Sequence, residues 1–304
     1  MIPNHVKDFY GWAIESTSLS RNKSLLVSLL ALLASSAQAD SLPNKEQPNK
    51  WSHDFTLGLE GFKYHYDEST EEQPKFMQDK GVLYGAHGAY QLTYGDMVFL
   101  RPEARIAYGR TDYSNHKGPT YDKHSIPAIV TETRLLIGSP LAATSFLTLS
   151  PYTGIGYRHK WDDNTNIKNK VNALGLKRIN KLWYLPVGAR FEYKFNDQWF
   201  LQGMAEYDWV IKGEQLGYSK RYSPNPIVVK QKRGWGLKGE VLVGHHFNNV
   251  SVAFGPYIHY WKIRKSNTVR ITYYSDSGVV FRNQPAHEPE NKTMELGVKL
   301  SFVF

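Results

Sequence analysis

Lys-Thr-Met-Glu-Leu-Gly-Val-Lys-Leu-Ser-Phe-Val-Phe, residues 292–304, is the stretch on which the fold turns. Met294, Leu296, Val298, Leu300, Phe302 and Phe304 alternate without a miss. Strict alternation puts all six on one side of an extended strand. Glu295 and Lys299 share the other side, with Gly297 and Ser301. One flank is therefore greasy and the other is charged, within a single strand.

The same two-residue period recurs upstream. It predicts strands near 54–66, 82–93, 97–110, 126–137, 145–160, 181–195, 199–212, 233–247, 250–263 and 292–304. The connections alternate in length. Tyr94-Gly95-Asp96, Asn196-Asp197-Gln198 and Asn248-Asn249 are tight, and Gly138 to Thr144 is a slightly longer turn. Asn, Asp and Gly accept the positive φ that two-residue hairpins require. Between these turns lie five long connections, near 67–81, 111–125, 161–180, 213–232 and 264–291.

Composition narrows the class. The chain has 304 residues, 37 Lys+Arg against 28 Asp+Glu, a net charge of +9 and no cysteine. Mean hydropathy of −0.48 excludes a bundle of membrane helices, each of which needs about 20 consecutive apolar residues. Without cysteine there is no disulfide framework, thiolate metal site or cysteine nucleophile. Arg21 and Lys23 precede an apolar run from Leu25 to Ala34, and then Ala37-Gln38-Ala39. That layout predicts a secretory signal peptide over 1–39, cleaved before Asp40, with 1–20 as an atypical extension. The extension is explained if translation starts near Leu19 or Ser20. Cleavage removes Lys7, Arg21 and Lys23 with Asp8 and Glu15, which lowers the net charge to +8. Residues 40–53 then form a polar lead-in, and 54–304 form one β domain.

The charged flank separates a soluble sandwich from a barrel in lipid. Mid-strand, opposite the apolar face, stand Glu60, Arg101, Glu103, Arg105, Glu132, Arg134, Arg190, Glu192, Glu206, Asp208, Lys238, Glu240, Glu295 and Lys299. These are eight acids and six bases, a nearly self-neutralising set. The apolar flank carries Trp, Tyr and Phe toward the strand ends, as the girdles at lipid headgroups do. In hydrocarbon only a closed barrel satisfies every strand's backbone groups. The expectation is an all-β, closed, antiparallel up-and-down transmembrane β-barrel of about ten strands, with short periplasmic turns and five long extracellular loops.

The signal peptide, the turn–loop alternation and the terminal strand together resemble the bacterial outer-membrane β-barrel superfamily, over the whole mature chain. That resemblance implies insertion by the barrel-assembly machinery, which recognises a last strand such as this one through Phe302 and Phe304. It implies nothing specific about activity. About eight strands leave a filled interior, whereas open porins have about 16–18. Ten strands full of charged side chains point to a plugged barrel, with a narrow channel for small solutes as the alternative.

Barrels of this size also include the outer-membrane proteases (the omptins) and lipid-modifying hydrolases, so a rim hydrolase is a second alternative. The protease family works through Asp and His at the outer rim. Asp112, His116, His124, Asp162, Asp163, Asp208 and His259 are the residues of those types here, and no spacing singles one out. His245-His246 are strand neighbours that point to opposite faces, so one metal ion cannot take both. No cofactor motif is present.

The long connections are basic. Lys177, Arg178, Lys220, Arg221, Lys232 and Arg233 are the candidate ligand contacts, and Lys168, Lys170, Lys181, Lys230, Lys265, Arg270 and Arg282 add to the field. Such a rim attracts phosphates and carboxylates. The expected partners are outer-membrane lipids, lipopolysaccharide and an external polyanion or host ligand. No module for nucleic acid is present. The sequence thus predicts a non-enzymatic protein of the outer membrane that presents basic loops.

Overall fold

The computed structural model describes residues 51–71, 77–115, 125–165, 176–218, 225–274 and 279–304. The expected signal peptide with Ala37, Ala39 and Asp40, most of the lead-in, and His116, His124, Lys220 and Arg221 lie outside the described residues. Every regular element among the described residues is a strand. In chain order these are β1 (Trp51–Ser69), β2 (Met77–Tyr94), β3 (Val98–Asn115), β4 (Ser125–Gly138), β5 (Leu141–Ala142), β6 (Leu147–Asp163) and β7 (Lys177–Lys194). They continue with β8 (Trp199–Tyr218), β9 (Ile227–Gln231), β10 (Gly234–His246), β11 (Ser251–Ile263), β12 (Val269–Tyr274), β13 (Val280–Ala286) and β14 (Glu290–Val303).

Ten of them close a ring. The neighbours run β1, β2, β3, β4, β6, β7, β8, β10, β11 and β14, and β14 returns to β1. Every pairing is antiparallel, so each is the product of a hairpin or of the closing seam. The terminal stretch is itself the seam, since β14 lies between β11 and β1, with Leu300 opposite both Phe254 and Leu59. Four short strands lie off the ring. β5 sits in the 138–146 turn, β9 extends the loop end of β8, and β12 pairs with β13 in a separate hairpin.

The turns converge on one end, here the turn end, together with Trp51 and Phe304. Gly95 has φ +53°, which permits the tight link from β2 to β3 without a side-chain clash. The barrel strands run further toward the loop end than the apolar pattern predicts: β1 reaches Ser69, β3 reaches Asn115 and β7 begins at Lys177. In these extensions the inward residues are polar and the outward ones are mixed, so the greasy alternation fades while strand pairing continues.

The exterior is apolar. Leu59, Val82, Ile106, Leu135, Ile155, Leu185, Val187, Val241, Phe254, Ile258 and Leu296 all stand exposed around the ring. Trp199 and Trp209 lie ten residues apart on β8, both exposed. At about 3.3 Å per residue and a tilt near 40°, they bracket a band of about 25 Å, the height of an outer-membrane hydrocarbon layer. Trp51, Phe195, Phe247 and Phe304 mark the turn-end rim of that band, and Tyr84, Tyr108 and Trp183 the loop-end rim. Water would not tolerate so large a continuous apolar surface. It belongs in lipid.

The interior mixes charge with aromatic and aliphatic bulk. Phe62, Tyr64, Tyr66, Met77, Leu83 and Tyr257 form one buried cluster, and Leu182, Tyr184, Val210 and Trp261 another. Gly156 makes room for the second: a Cβ there would lie 2.1 Å from the Tyr184 ring. The sequence reading expects the charged layer to occupy most of the lumen. These apolar side chains were hidden because an inward Phe or Trp looks the same in sequence as an outward one.

Candidate functional site

Strand alternation delivers the interior residues. On β6 the even positions face inward, which puts Tyr152, Arg158, Lys160 and Asp162 in the lumen. On β4 Glu132 and Arg134 do the same, and on β8 Glu206 and Asp208. All fourteen charges singled out from the sequence lie on this inner side.

They are stacked in tiers. Nearest the turn end, Glu103 accepts from Arg101 at 2.7 Å and also pairs with Arg134 and Arg190. Arg134 reaches on to Glu206 at 2.6 Å, where Tyr152 also donates, at 2.7 Å. Lys299 pairs with Glu240 at 2.7 Å, and Glu192 accepts from Gln202 at 3.3 Å. In the middle tier, Arg105 lies 2.7 Å from both Glu60 and Glu295. Arg158 adds a second bond to Glu295, also 2.7 Å. Lys238 lies 2.5 Å from Glu132, 3.2 Å from Glu206 and 3.7 Å from Asp208, and so joins this tier to the one below. Tyr184 donates to the same Glu132. His259 packs among Asp208, Glu295 and Glu132 at 3.6 to 3.9 Å.

A third tier, toward the loops, escaped the sequence reading. Arg178 contacts Asp162 at 2.9 Å, Asp79 at 3.0 Å and Glu68 at 3.1 Å, and Lys160 joins Asp162 at 3.2 Å. Arg178 was expected on a ligand-binding loop and must be corrected. It belongs to β7, whose register turns it inward onto three carboxylates. Arg158, Lys160, Asp79 and Glu68 were missed because the predicted segments stopped short or because a charge on the inward parity was not followed along β6. That parity was the available signal.

The tiers close the lumen. A cavity of about 440 Å³ enters from the turn end, past Asp54, Pro140, Thr148 and Ser251, and stops at Glu132, Lys238 and His259. Beyond it, Glu295, Asp208, Asp79, Asp162, Lys160 and His259 are each at most 2% exposed. Among the described residues, that zone is packed with buried side chains.

The loop end carries a different kind of charge. Lys230, Lys232, Arg233, Arg264, Lys265 and His287 line one cleft, with Glu71 and Glu290 at its edge. Hydrogen bonds between two links hold it: Arg264 N donates to Arg233 O at 2.9 Å, Asn267 N to Lys230 O at 3.1 Å, and Lys230 N to Asn267 Oδ1 at 2.6 Å. Arg264 and Lys262 pair with Glu290 at 3.0 and 3.3 Å. Lys230, Lys232, Arg233 and Lys265 are exposed and, among the described residues, have no carboxylate within 4.0 Å. Partial burial and the neighbouring Lys265 hold the His287 imidazole below its ordinary value. Of the expected ligand contacts, Lys232 and Arg233 lie in this cleft. Lys177 lies on the wall instead, its Nζ 5.8 Å from the ring centres of Trp161 and Tyr218.

Among the described residues, those considered for hydrolysis do not assemble at the rim. Asp112 is exposed on the outer surface of β3, and Asp163 accepts from Thr165 at 2.6 Å. Asp208 and His259 do meet, but deep in the wall-to-wall network. His246 turns inward to Ser251 at 2.8 Å, while His245 packs on Trp199, so the pair is split between faces. Among the described residues no three His, Asp or Glu side chains are placed to hold a metal ion.

Searches against protein-family models and against curated proteins find no match. Among solved structures, the chain is similar to the outer membrane protease OmpT from Escherichia coli, with TM-score 0.51, 15% identity, 87% of this chain and 99% of that chain covered. It also matches the translocator domain of the autotransporter NalP from Neisseria meningitidis, at TM-score 0.38, 9% identity and 93% and 96% coverage. OprG from Pseudomonas aeruginosa matches at TM-score 0.36, 9% identity and 82% and 94% coverage. The fold is that of the small outer-membrane β-barrels. At such identity the likeness concerns the fold alone.

Proposed function

We propose that this protein is a non-enzymatic barrel of the bacterial outer membrane that presents a basic outer rim to anionic partners. Export through a cleaved signal peptide and insertion through the C-terminal strand by the barrel-assembly machinery belong to the same reading. So does an orientation with the loop end outside the cell. The partners it implies are phosphates and carboxylates of lipopolysaccharide in the envelope, or an external polyanion or host glycan.

The contrast in charge pairing carries the proposal. Inside the barrel cations are matched to carboxylates in tiers, whereas Lys230, Lys232, Arg233 and Lys265 stand exposed around one cleft with no such partner among the described residues. Unpaired cations held in a concave surface focus a positive field and concentrate anions there. Closure of the lumen by the tiers speaks for display over transport. The cavity from the turn end is the feature that favours the alternative, a narrow or gated conduit for small solutes.

Heparin retention and binding to lipopolysaccharide aggregates test the proposal on the detergent-solubilised protein. Replacing Lys230, Lys232, Arg233 and Lys265 with Gln should lower the salt needed for elution and weaken lipopolysaccharide binding. Retention unchanged in the fourfold variant would overturn it.

A further inference from the structure

We propose that Glu68 and Glu288 share a single proton, and that this proton latches the β12–β13 hairpin onto the loop end of the barrel. The inference goes beyond the function above and does not depend on what the outer cleft binds.

Counting protons leads to it. Tyr66 Oη lies 3.1 Å from Glu68 Oε1 and 3.0 Å from Glu288 Oε1, and all three side chains are buried. A phenol has one proton, and an ionised carboxylate only accepts. One phenolic proton cannot serve both contacts, so a second proton must sit on a carboxyl group. Arg178 Nη1 lies 3.1 Å from Glu68 Oε1 and favours the charged form of Glu68 over that of Glu288. Glu288, among the described residues, has no cation within 4.0 Å. The extra proton therefore belongs to Glu288, which donates while Tyr66 donates to Glu68. Burial and the neighbouring Glu68 carboxylate push the Glu288 carboxyl up to about 8.

Groups from five strands face the site. β1 supplies Tyr66 and Glu68, β7 supplies Arg178, and β2 supplies Asp79, already bound to Arg178. Lys160 and Asp162 of β6 complete the charge on that flank, at 3.2 Å from each other. From β8, the Gln215 side chain hydrogen-bonds the Glu288 carboxyl, a contact that favours the charged form and works against the upward push of burial and Glu68.

Glu288 is also where the hairpin is fastened. Its backbone N donates to Ser266 Oγ at 2.8 Å, and its carbonyl accepts from Ser266 N at 3.0 Å. Ser266 and Glu288 thus form the base of the hairpin that rises between β11 and β14. Loss of the proton would place a second buried negative charge beside Glu68 with no cation of its own. The base would then leave the barrel so that Glu288 could reach water.

The sign follows from linkage. Latched, Glu288 holds its proton up to about pH 8; released, it titrates as an ordinary glutamate near 4.3. The latch is fully favoured below the lower value and weakens by tenfold per pH unit up to the higher one. Above about 8 it changes no further.

Amide hydrogen exchange across 266–288, in the full chain in detergent, reads the latch directly. After correction for the intrinsic rate, and with β10 as internal reference, protection should fall up to tenfold per pH unit between about pH 5 and 8. Glu288→Gln, which donates without titrating, should keep protection high and flat. Glu68→Gln supplies its own N–H and removes the repulsion but not the burial, so it should make the slope shallower and end it at a lower pH. In parallel, infrared spectra of the wild-type protein should show the carbonyl stretch of a neutral carboxylic acid that disappears near pH 8 and is missing in Glu288→Gln. Equal slopes in wild type and both variants would overturn the proposal. So would the absence of a titrating acid band, which needs no variant to fold.

Discussion

Arg158 Nη2 lies 2.7 Å from Glu295 Oε1, and their strands, β6 and β14, stand on opposite sides of the ten-stranded ring. Glu68 on β1 and Arg178 on β7, at 3.1 Å, span it in the same way one tier higher. These are ties across the full width of the barrel. They convert the lumen from a tube into a strutted wall, and among the described residues they fill the middle of the ten-stranded ring.

Breaking one strut should cost more than removing it whole. Arg158→Met leaves the Glu295 carboxylate with less compensation at a fully buried site. Truncating one partner of a buried pair costs about 3–5 kcal/mol, whereas replacing both with apolar groups of similar size is often neutral. Urea unfolding in detergent should therefore place Arg158→Met well below wild type. The Arg158→Met/Glu295→Met protein leaves Arg105 with Glu60 as its close partner, so it should recover only part of the difference. A double variant weaker than the single would contradict this.

Conductance should respond only when both outer struts are gone. Wild type should give no steady current in planar bilayers. Removing Arg158 and Glu295 as Ala extends the turn-end cavity, but leaves Arg178, Asp79, Asp162 and Lys160 across the loop end. That variant should still be silent, and adding Arg178→Ala should open a pathway. A steady current in the wild-type protein would instead favour the conduit reading.

Lipid exposure can be tested by depth on one strand. Ala205 is outward-facing on β8, midway between Trp199 and Trp209, while Ile211 lies just beyond the loop-end rim. Ala205→Arg should destabilise the inserted barrel by about 2–4 kcal/mol and Ile211→Arg by about 0–1 kcal/mol. Folding titrations in lipid vesicles measure both. Equal costs would mean that the apolar band has been placed at the wrong height.

Packing around Gly156 offers a check on the middle tier. Any Cβ at this position meets the Tyr184 ring, and Tyr184 is a donor to Glu132. Gly156→Val should displace the phenol and destabilise the barrel by about 1–3 kcal/mol through overpacking. Gly156→Ala, with less bulk, should be milder, and thermal unfolding followed by gel mobility ranks the two. A neutral Gly156→Val would show that the ring is free to move.

Much of the fold was legible because its signals are local. The alternation in Met294–Phe304 depends only on the two-residue period of a strand, and Gly95 and Asn248-Asn249 mark turns by their own backbone preferences. The fourteen mid-strand charges were legible for the same reason, since parity assigns them to one face. Tyr64, Tyr66, Trp261 and Arg178 were not, because parity alone does not tell an inward aromatic from an outward one, nor where a polar strand gives way to a loop.

Sequence by itself determined the strand period, the two-faced character of each strand and the alternation of short and long links. All of these follow from the chemistry of residues a few positions apart. Only the tertiary structure decided which charge meets which, that Arg158 reaches Glu295 and Arg178 reaches Glu68, and that Glu288 returns to a buried tyrosine 222 residues away. The reason is geometric. Closing a ring brings together side chains from opposite walls, and their separation along the chain carries no record of that meeting.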